Sequence, residues 1–567
     1  MDHILKLKTS RWLYPIIFLL ALSIRLMGVN DVPLTEWDAG LAIQALDISK
    51  GAGTSPGTHP LYTLITAGLF LLFEPSNFWA RFFPALAGAS LVFLPALLSR
   101  HFEEKILLPW SLLIALSPGF IGSTRWDGGS VVGMTVALFA LTFFMNGNAI
   151  KAGIFGGLAL LGGEGTWLGV IGLLTAGWLS GIVFGKELVS TNGEMVSDLP
   201  VRRWKKVVPW VVGTYLLIGS GLFLFPRGIG GLASSFQGFV SRLVEPGGVS
   251  PIRILVALIS TEPLILTAGI VGIILVLIQS KRAYQKLAVW ALVALVMTLI
   301  PAGRQVPDLT WFLIPMTGLS SYAMIRVFTG GENEPRIIWA QGIIVVILSV
   351  IIGFNLQGIF NPSSSPIQDQ QRLIQIITSF VLVIVVIGLV WWGWSGSICA
   401  KGTMLSALLV LGSLSLATGF RVLGMGSNPE MNIWLKSGFP LGEDLVIQTI
   451  GDSSEWATGN RTQADVVVLN TDFDSLFWSL NDYENVQRVE LLPLESQPSI
   501  VISGKDQPLI SSSSYRGQDF SYLITPTWGE YSFQDWIQWM VIHEGRFRDT
   551  QVIVWIRGDL MPGSSQY

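Results

Sequence analysis

Two carboxylates, Glu36 and Asp38, stand two positions apart in the stretch PLTEWDAG, just after the first long apolar run of the chain. On an extended segment alternate residues share a face, so both acids could address one substrate atom. On a helix they diverge by about 200° and could not. If Thr35 caps a helix through EWDAGLAIQALDIS, Asp38 falls at the third position and can close a capping box, while Glu36 meets the positive helix end. A second charged pair, Arg125 and Asp127 in GSTRWDGGS, lies between two later apolar runs and reads either as a solvated loop or as a functional pair. Further candidates are His59, Glu164 in LGGEGTW, Arg304 in PAGRQVPDLTW, and Glu262 within an apolar run. An ionisable group inside a membrane span costs roughly 2.5 kcal/mol or more, so Glu262 is either functional or hydrogen-bonded to the backbone ahead of Pro263.

The elements that must position these groups are membrane helices. The chain of 567 residues is 51% hydrophobic and 13% charged, with a mean hydropathy of +0.57, against roughly 25% charged residues in a soluble domain. Runs long enough to cross a bilayer recur at about 12–28, 79–99, 106–124, 128–146, 152–162, 167–185, 207–225, 254–278, 287–301, 309–326, 337–354, 373–394 and 402–419. The expected architecture is an all-α polytopic bundle of about thirteen spans over residues 1–419, with a first outer loop and juxtamembrane helices at 29–78. The run 60–73 is too short to span and reads as re-entrant. Residues 420–567 hold short alternating or apolar runs such as ADVVVLN and TQVIVWIRGDL, the pattern of a soluble α/β domain. The single cysteine, Cys399, excludes a disulfide framework and a cysteine metal site. Basic residues ahead of the first run, without a small-residue cleavage site, read as a retained anchor.

Placing the N-terminus in the cytoplasm puts Lys6, Lys8, Arg11, Arg100, Lys105, Lys151, Lys186, Arg202, Arg203, Lys205, Lys206, Lys281, Arg282, Lys286, Arg326, Arg336 and Lys401 inside. The outer side receives Arg25, Lys50, Arg81, Arg125, Arg227, Arg242, Arg253, Arg304 and Arg372, so the bias follows the positive-inside rule and residues 420–567 lie outside the plasma membrane. Lysine dominates inside and arginine outside. A planar guanidinium binds phosphate oxygens in pairs, so the outer arginines suit a lipid phosphate or pyrophosphate; snorkelling at helix ends is the plainer reading. A nucleic-acid partner is not expected.

The order of these motifs resembles the GT-C superfamily of membrane glycosyltransferases, of the protein O-mannosyltransferase and aminoarabinose transferase type. The resemblance rests on the acidic first outer loop, the HPLY turn into a short apolar helix, FWARFFPALAGASLVFLPALLSR and ALSPGFIGSTRWDGG, over roughly residues 10–330. It implies a polyprenyl-phosphate sugar as donor, a protein, lipid or glycan acceptor, and inverting transfer at the outer interface. It makes Asp38 the first-loop general base, with Glu36 the alternative, and sets Arg125 and Asp127 near the donor phosphate. Arg81 matches the arginine opening the second span, and His59 precedes the turn proline. The first loop here reads Glu-Trp-Asp where the family has adjacent Asp-Glu, and the turn has one proline where two are usual. Arginines or a divalent cation could neutralise the leaving phosphate; the residue types leave the cofactor open. A transporter or flippase, and a catalytically inactive glycolipid-binding relative, are the competing classes. The tryptophans at 434, 456, 478, 528, 536, 539 and 555 suit either sugar stacking or ordinary packing.

Overall fold

The computed structural model describes residues 2–52, 55–184, 200–279, 281–360, 365–426, 428–469, 473–493, 495–507, 509, 511 and 513–560, with the side chains of 2–11, 184 and 200–203 left out. Residue 185, at the end of one expected span, and Lys186 lie outside the described residues, as does the segment 561–567 of the expected soluble domain. The described residues of the bundle form helices joined by turns and short loops. The helices run α1 Asp2–Leu26, α2 Glu36–Ser49, α3 Pro60–Leu72, α4 Asn77–Ser90, α5 Leu94–Leu97, α6 Glu104–Leu116, α7 Pro118–Trp126, α8 Gly128–Met145, α9 Ala149–Ala159, α10 Glu164–Phe184 and α11 Pro200–Gly219. They continue with α12 Gly231–Val244, α13 Pro251–Thr261, α14 Pro263–Gln279, α15 Arg282–Leu299, α16 Thr310–Thr329, α17 Pro335–Ile359, α18 Pro366–Gly393 and α19 Gly396–Phe420. The soluble part carries α20 Glu443–Thr458, α21 Asp474–Ser479 and α22 Phe533–Ile542.

Among the described residues, seven helices are long and apolar enough to cross a membrane, or nine if each of two bent pairs counts as one. The chain is an integral membrane protein. Each of the thirteen expected runs coincides largely with helix, but the run 207–225 outlasts α11, which ends at Gly219, and two others are broken. The run 106–124 bends by 45° between α6 and α7, and the run 254–278 bends by 93° between α13 and α14. Both breaks precede a proline, which cannot donate a backbone hydrogen bond and drives the residue before it out of helical geometry. At the first break a serine caps the new start, Ser117 accepting from Phe120 N at the head of α7; at the second pair the serine cap is at the far end from the break, Ser250 accepting from Arg253 N at the head of α13. Glu262 is thus at an elbow of the apolar run, not within a straight span. The segment 60–73 forms the 13-residue helix α3, shorter than a span.

The soluble part is built on a five-stranded sheet in the order β2-β1-β3-β5-β4, with β1 Val466–Leu469, β2 Val486–Val489, β3 Ile500–Gly504, β4 Tyr515–Pro526 and β5 Phe547–Arg557. Strand β1 pairs in parallel with β2 and β3, and its four residues are buried, as a central apolar run requires. Strands β4 and β5 form a long antiparallel ribbon with an irregularity between Ser521 and Leu523.

The chain does not leave the bundle cleanly after α19. Val422, Met431, Ile433, Trp434, Leu435 and Phe439 belong to the same buried core as α6, α7 and α16. Arg253 fastens this stretch by donating to the carbonyls of Ile433 (3.0 Å) and Leu435 (2.5 Å). On the other side, Trp478 of α21 stacks on Phe70 of α3 at 5.7 Å and donates to Asn77 at 2.8 Å. Five of the seven tryptophans named above, at 434, 478, 528, 536 and 539, are buried packing groups. Trp456 is exposed.

Candidate active site

Helix α2 begins as its capping pattern predicts. Thr35 is the N-cap, its hydroxyl accepting from Asp38 N at 3.3 Å and donating to Asp38 Oδ2 at 2.9 Å. The helix therefore sends its three first residues in different directions. Glu36 reaches Ser475 of α21, accepting from both its backbone N–H and its hydroxyl. Burial raises the Glu36 carboxyl above the usual range, partly offset by those bonds. Trp37 turns to a charged network, and Asp38 turns to a small cavity.

That cavity is lined by Asp38, Tyr62, Arg81, Pro84, Arg125 and Gly128, among others. Asp38, Arg81 and Arg125 are all buried. Arg81, from α4, forks onto the carbonyls of Val29 (3.0 Å), Val32 (2.6 Å) and Pro33 (2.6 Å), which fixes the chain leading into α2. Arg125, from the last turn of α7, donates one bond to Gly28 O at 2.5 Å, while its Nε and Nη1 are buried with no hydrogen-bond partner among the described residues. Both guanidiniums flank the buried indole of Trp126, at 5.8 and 6.0 Å from its centroid, a cation–π arrangement that helps hold two like charges together. Among the described ion pairs none joins Asp38 to either arginine; the solvent-exposed Asp31 also acts on Arg125. Burial pushes the Asp38 carboxyl up to about 6, against the pull of Arg81 and Thr35, and the nearby Asp127 charge adds to the rise.

The second group is a continuous polar chain. Asp127, following α7, accepts from Trp37 Nε1 (3.3 Å) and from Ser130 Oγ (2.7 Å), so both its oxygens are taken. His59 touches the same Ser130 at 3.5 Å and meets Trp37 edge-on. Lys436 sits over the Trp37 ring at 3.3 Å and pairs with Glu164 at 3.6 Å. Glu164 also faces Arg242 at 3.7 Å, and Arg242 pairs with Asp308 at 2.5 Å. Asp308 takes the backbone N–H of Gln305 as well, at 2.9 Å.

Of the residues singled out in the sequence, Asp38, Arg81 and Arg125 therefore share one cavity, and Asp127, His59 and Glu164 share the adjoining chain. Three lie elsewhere. Glu36 serves the contact with α21. Arg304 donates to Pro301 O at 2.9 Å in its own loop. Glu262 caps the opposite end of α7, accepting from Ser117 Oγ and Gly119 N at 2.5 Å each. Sequence reading missed Lys436, Arg242 as an ion-pair partner, and Asp308. Lys436 follows the apolar triplet Ile433-Trp434-Leu435 beyond the last span, and nothing in its local sequence says that it returns to a helix 400 residues earlier. Among the described residues no three His, Cys, Asp or Glu side chains are grouped to hold a metal.

No family model and no curated protein matches the sequence. Solved structures do match. ArnT from Cupriavidus metallidurans bound to undecaprenyl phosphate overlays with a TM-score of 0.52 at 13% identity, covering 98% of this chain and 99% of that one. The apo state of the same protein gives 0.53 at 14% identity, over 88% and 94%. Over nearly its whole length, the chain has the fold of ArnT, a helical membrane bundle with a C-terminal α/β domain.

Proposed function

We propose that the protein is a membrane glycosyltransferase that moves a sugar from a polyprenyl-phosphate donor to an acceptor hydroxyl at the outer face of the plasma membrane. The observation that carries the reading is the cavity in which one buried carboxylate faces two buried guanidiniums without contact ion pairs. A phosphate entering there would meet the free Nε and Nη1 of Arg125, whose charge is otherwise left largely uncompensated. Undecaprenyl phosphate bound to the ArnT of Cupriavidus metallidurans supports the donor class.

Asp38 takes the proton of the acceptor hydroxyl as that oxygen bonds to the anomeric carbon. The bond from that carbon to the phosphate breaks, its electron pair leaving on the phosphate oxygen, which Arg125 and Arg81 stabilise. Attack opposite the leaving phosphate inverts the anomeric centre. The N-terminus is cytoplasmic in this reading and the soluble domain extracytoplasmic, following the distribution of lysine and arginine. The test is transfer from a polyprenyl-phosphate sugar by the purified full chain in lipid: Asp38→Asn abolishes it if Asp38 is the base, and unchanged transfer in that variant rejects the assignment.

A further inference from the structure

Glu262 was singled out as an ionisable group in an apolar run, and the mechanism above does not use it. It is fully buried, with no cation among its partners. Its neighbours explain what holds it. Oε1 accepts from the hydroxyl of Ser117 and the backbone N–H of Gly119, both at 2.5 Å. Ser117 is the N-cap of α7 and Gly119 its second residue. The carboxylate thus meets one of the backbone donors that a helix start leaves without an intrahelical partner, the Gly119 N–H, together with the hydroxyl of the capping serine, at the positive end of the helix dipole.

The position of Glu262 in its own segment is equally specific. It is the elbow residue of the 93° bend between α13 and α14, while Ser117 marks the 45° bend between α6 and α7. One carboxylate therefore ties the break in one span to the break in another. Gly119 makes the approach possible: a methyl group there would lie 2.9 Å from Glu262 Oε1 and 3.1 Å from Trp434 Cζ2. Trp434 also packs against Gly122, where an added carbon would come 2.9 Å from Cγ, and it sits two residues before Lys436.

Helix α7 has nine residues, so about 13 Å of helix separates this tie from its other end. That other end carries Arg125 and, one residue beyond it, Asp127. A rigid helix held at its head by one polar tie translates any slip there into a displacement of the guanidinium at its tail. Mispositioning by about 1 Å costs on the order of a hundredfold in rate.

We propose that Glu262 is a positioning residue that locks the breaks of two bent spans together and so sets where α7 presents Arg125 to the donor phosphate. The inference rests on the glycosyltransferase reading for its kinetic consequence, but its structural half stands apart from it. Two readouts separate them. Amide exchange at residues 119–126, followed by mass spectrometry on the full chain in detergent, reports the lock itself. Glu262→Gln keeps an acceptor oxygen for Ser117 and Gly119 and is expected to retain protection; Glu262→Leu, and the milder Ser117→Ala, are expected to raise exchange there about tenfold. Steady-state transfer reports the consequence. The loss in Glu262→Leu and Ser117→Ala should appear as a tenfold or larger fall in kcat/KM for the donor, with the pH profile unchanged because Asp38 lies on α2, and Glu262→Gln should restore the wild-type value. Unchanged exchange in both Glu262→Leu and Ser117→Ala overturns the lock. Raised exchange with an unchanged kcat/KM for the donor overturns the positioning role. A wild-type chain that transfers no sugar rejects the glycosyltransferase reading and the kinetic role with it, while exchange still decides the lock.

Discussion

Asp38 and Asp127 are both buried carboxylates beside helix α2, and their oxygens are used differently. Asp127 accepts from Trp37 on one oxygen and Ser130 on the other, and the chain that follows it, through Lys436, Glu164, Arg242 and Asp308, alternates in sign. Asp38 keeps only the Thr35 hydroxyl among the described hydrogen bonds, and Arg125 next to it has two nitrogens unpartnered. A saturated network of this kind fixes geometry; an unsaturated one has bonding capacity left for a ligand. In the proposed reaction this difference would separate groups that look alike in the sequence into those that react and those that hold.

Exchanging Asp for Asn on the two sides is the strongest way to break this distinction. Asp38→Asn should lower kcat by about 10²–10⁴-fold, the usual contribution of a general base. Asp127→Asn should lose roughly tenfold, mainly in thermal stability and donor KM, because one accepting oxygen survives; equal losses at both positions would erase the contrast. The arginines come next. Arg125→Gln should cost about 10²–10³-fold in kcat/KM with little loss of stability, as expected for a group that meets charge developing in the transition state. Arg242→Gln should do the reverse, destabilising the fold by about 3–5 kcal/mol by stranding the buried Asp308, as measured by denaturation in detergent.

A pH profile sharpens the same point. Burial raises the Asp38 carboxyl to about 6, so the proposed base would be charged above that pH and transfer is expected to fall as pH drops through about 6. Because protonation is favoured in the folded state relative to the unfolded chain, the same group adds to stability below its unfolded pKa, and that contribution is lost as pH rises through about 6. The smallest effect belongs to Glu36. Glu36→Gln keeps an acceptor for Ser475 and should leave transfer within about threefold, since it faces α21 and not the cavity.

Local signals carried much of this arrangement. Thr35 three residues before Asp38 announced the helix start, and the divergence of Glu36 and Asp38 follows from helical geometry. Apolar runs located the bundle, because span length is a property of consecutive residues. The breaks were visible as Ser117-Pro118 and Glu262-Pro263, but composition weighs a bent run as it weighs a straight one. Lys436, Arg242 and Asp308 were hidden for a different reason. Their roles depend on contacts between segments far apart in the chain, such as Trp37 N donating to Ser437 Oγ at 2.9 Å across 400 residues.

That contact also sets a schedule for biogenesis. Chains grow at about 5–20 residues per second and fold from the N-terminus, so α2 emerges roughly 20–80 s before the residues that brace it. During that interval the membrane helices can insert, but Trp37 lacks Ser437 and Lys436, and Glu36 lacks Ser475. The newborn bundle is therefore a lipid-facing scaffold without a finished site, and competence arrives with the last quarter of translation.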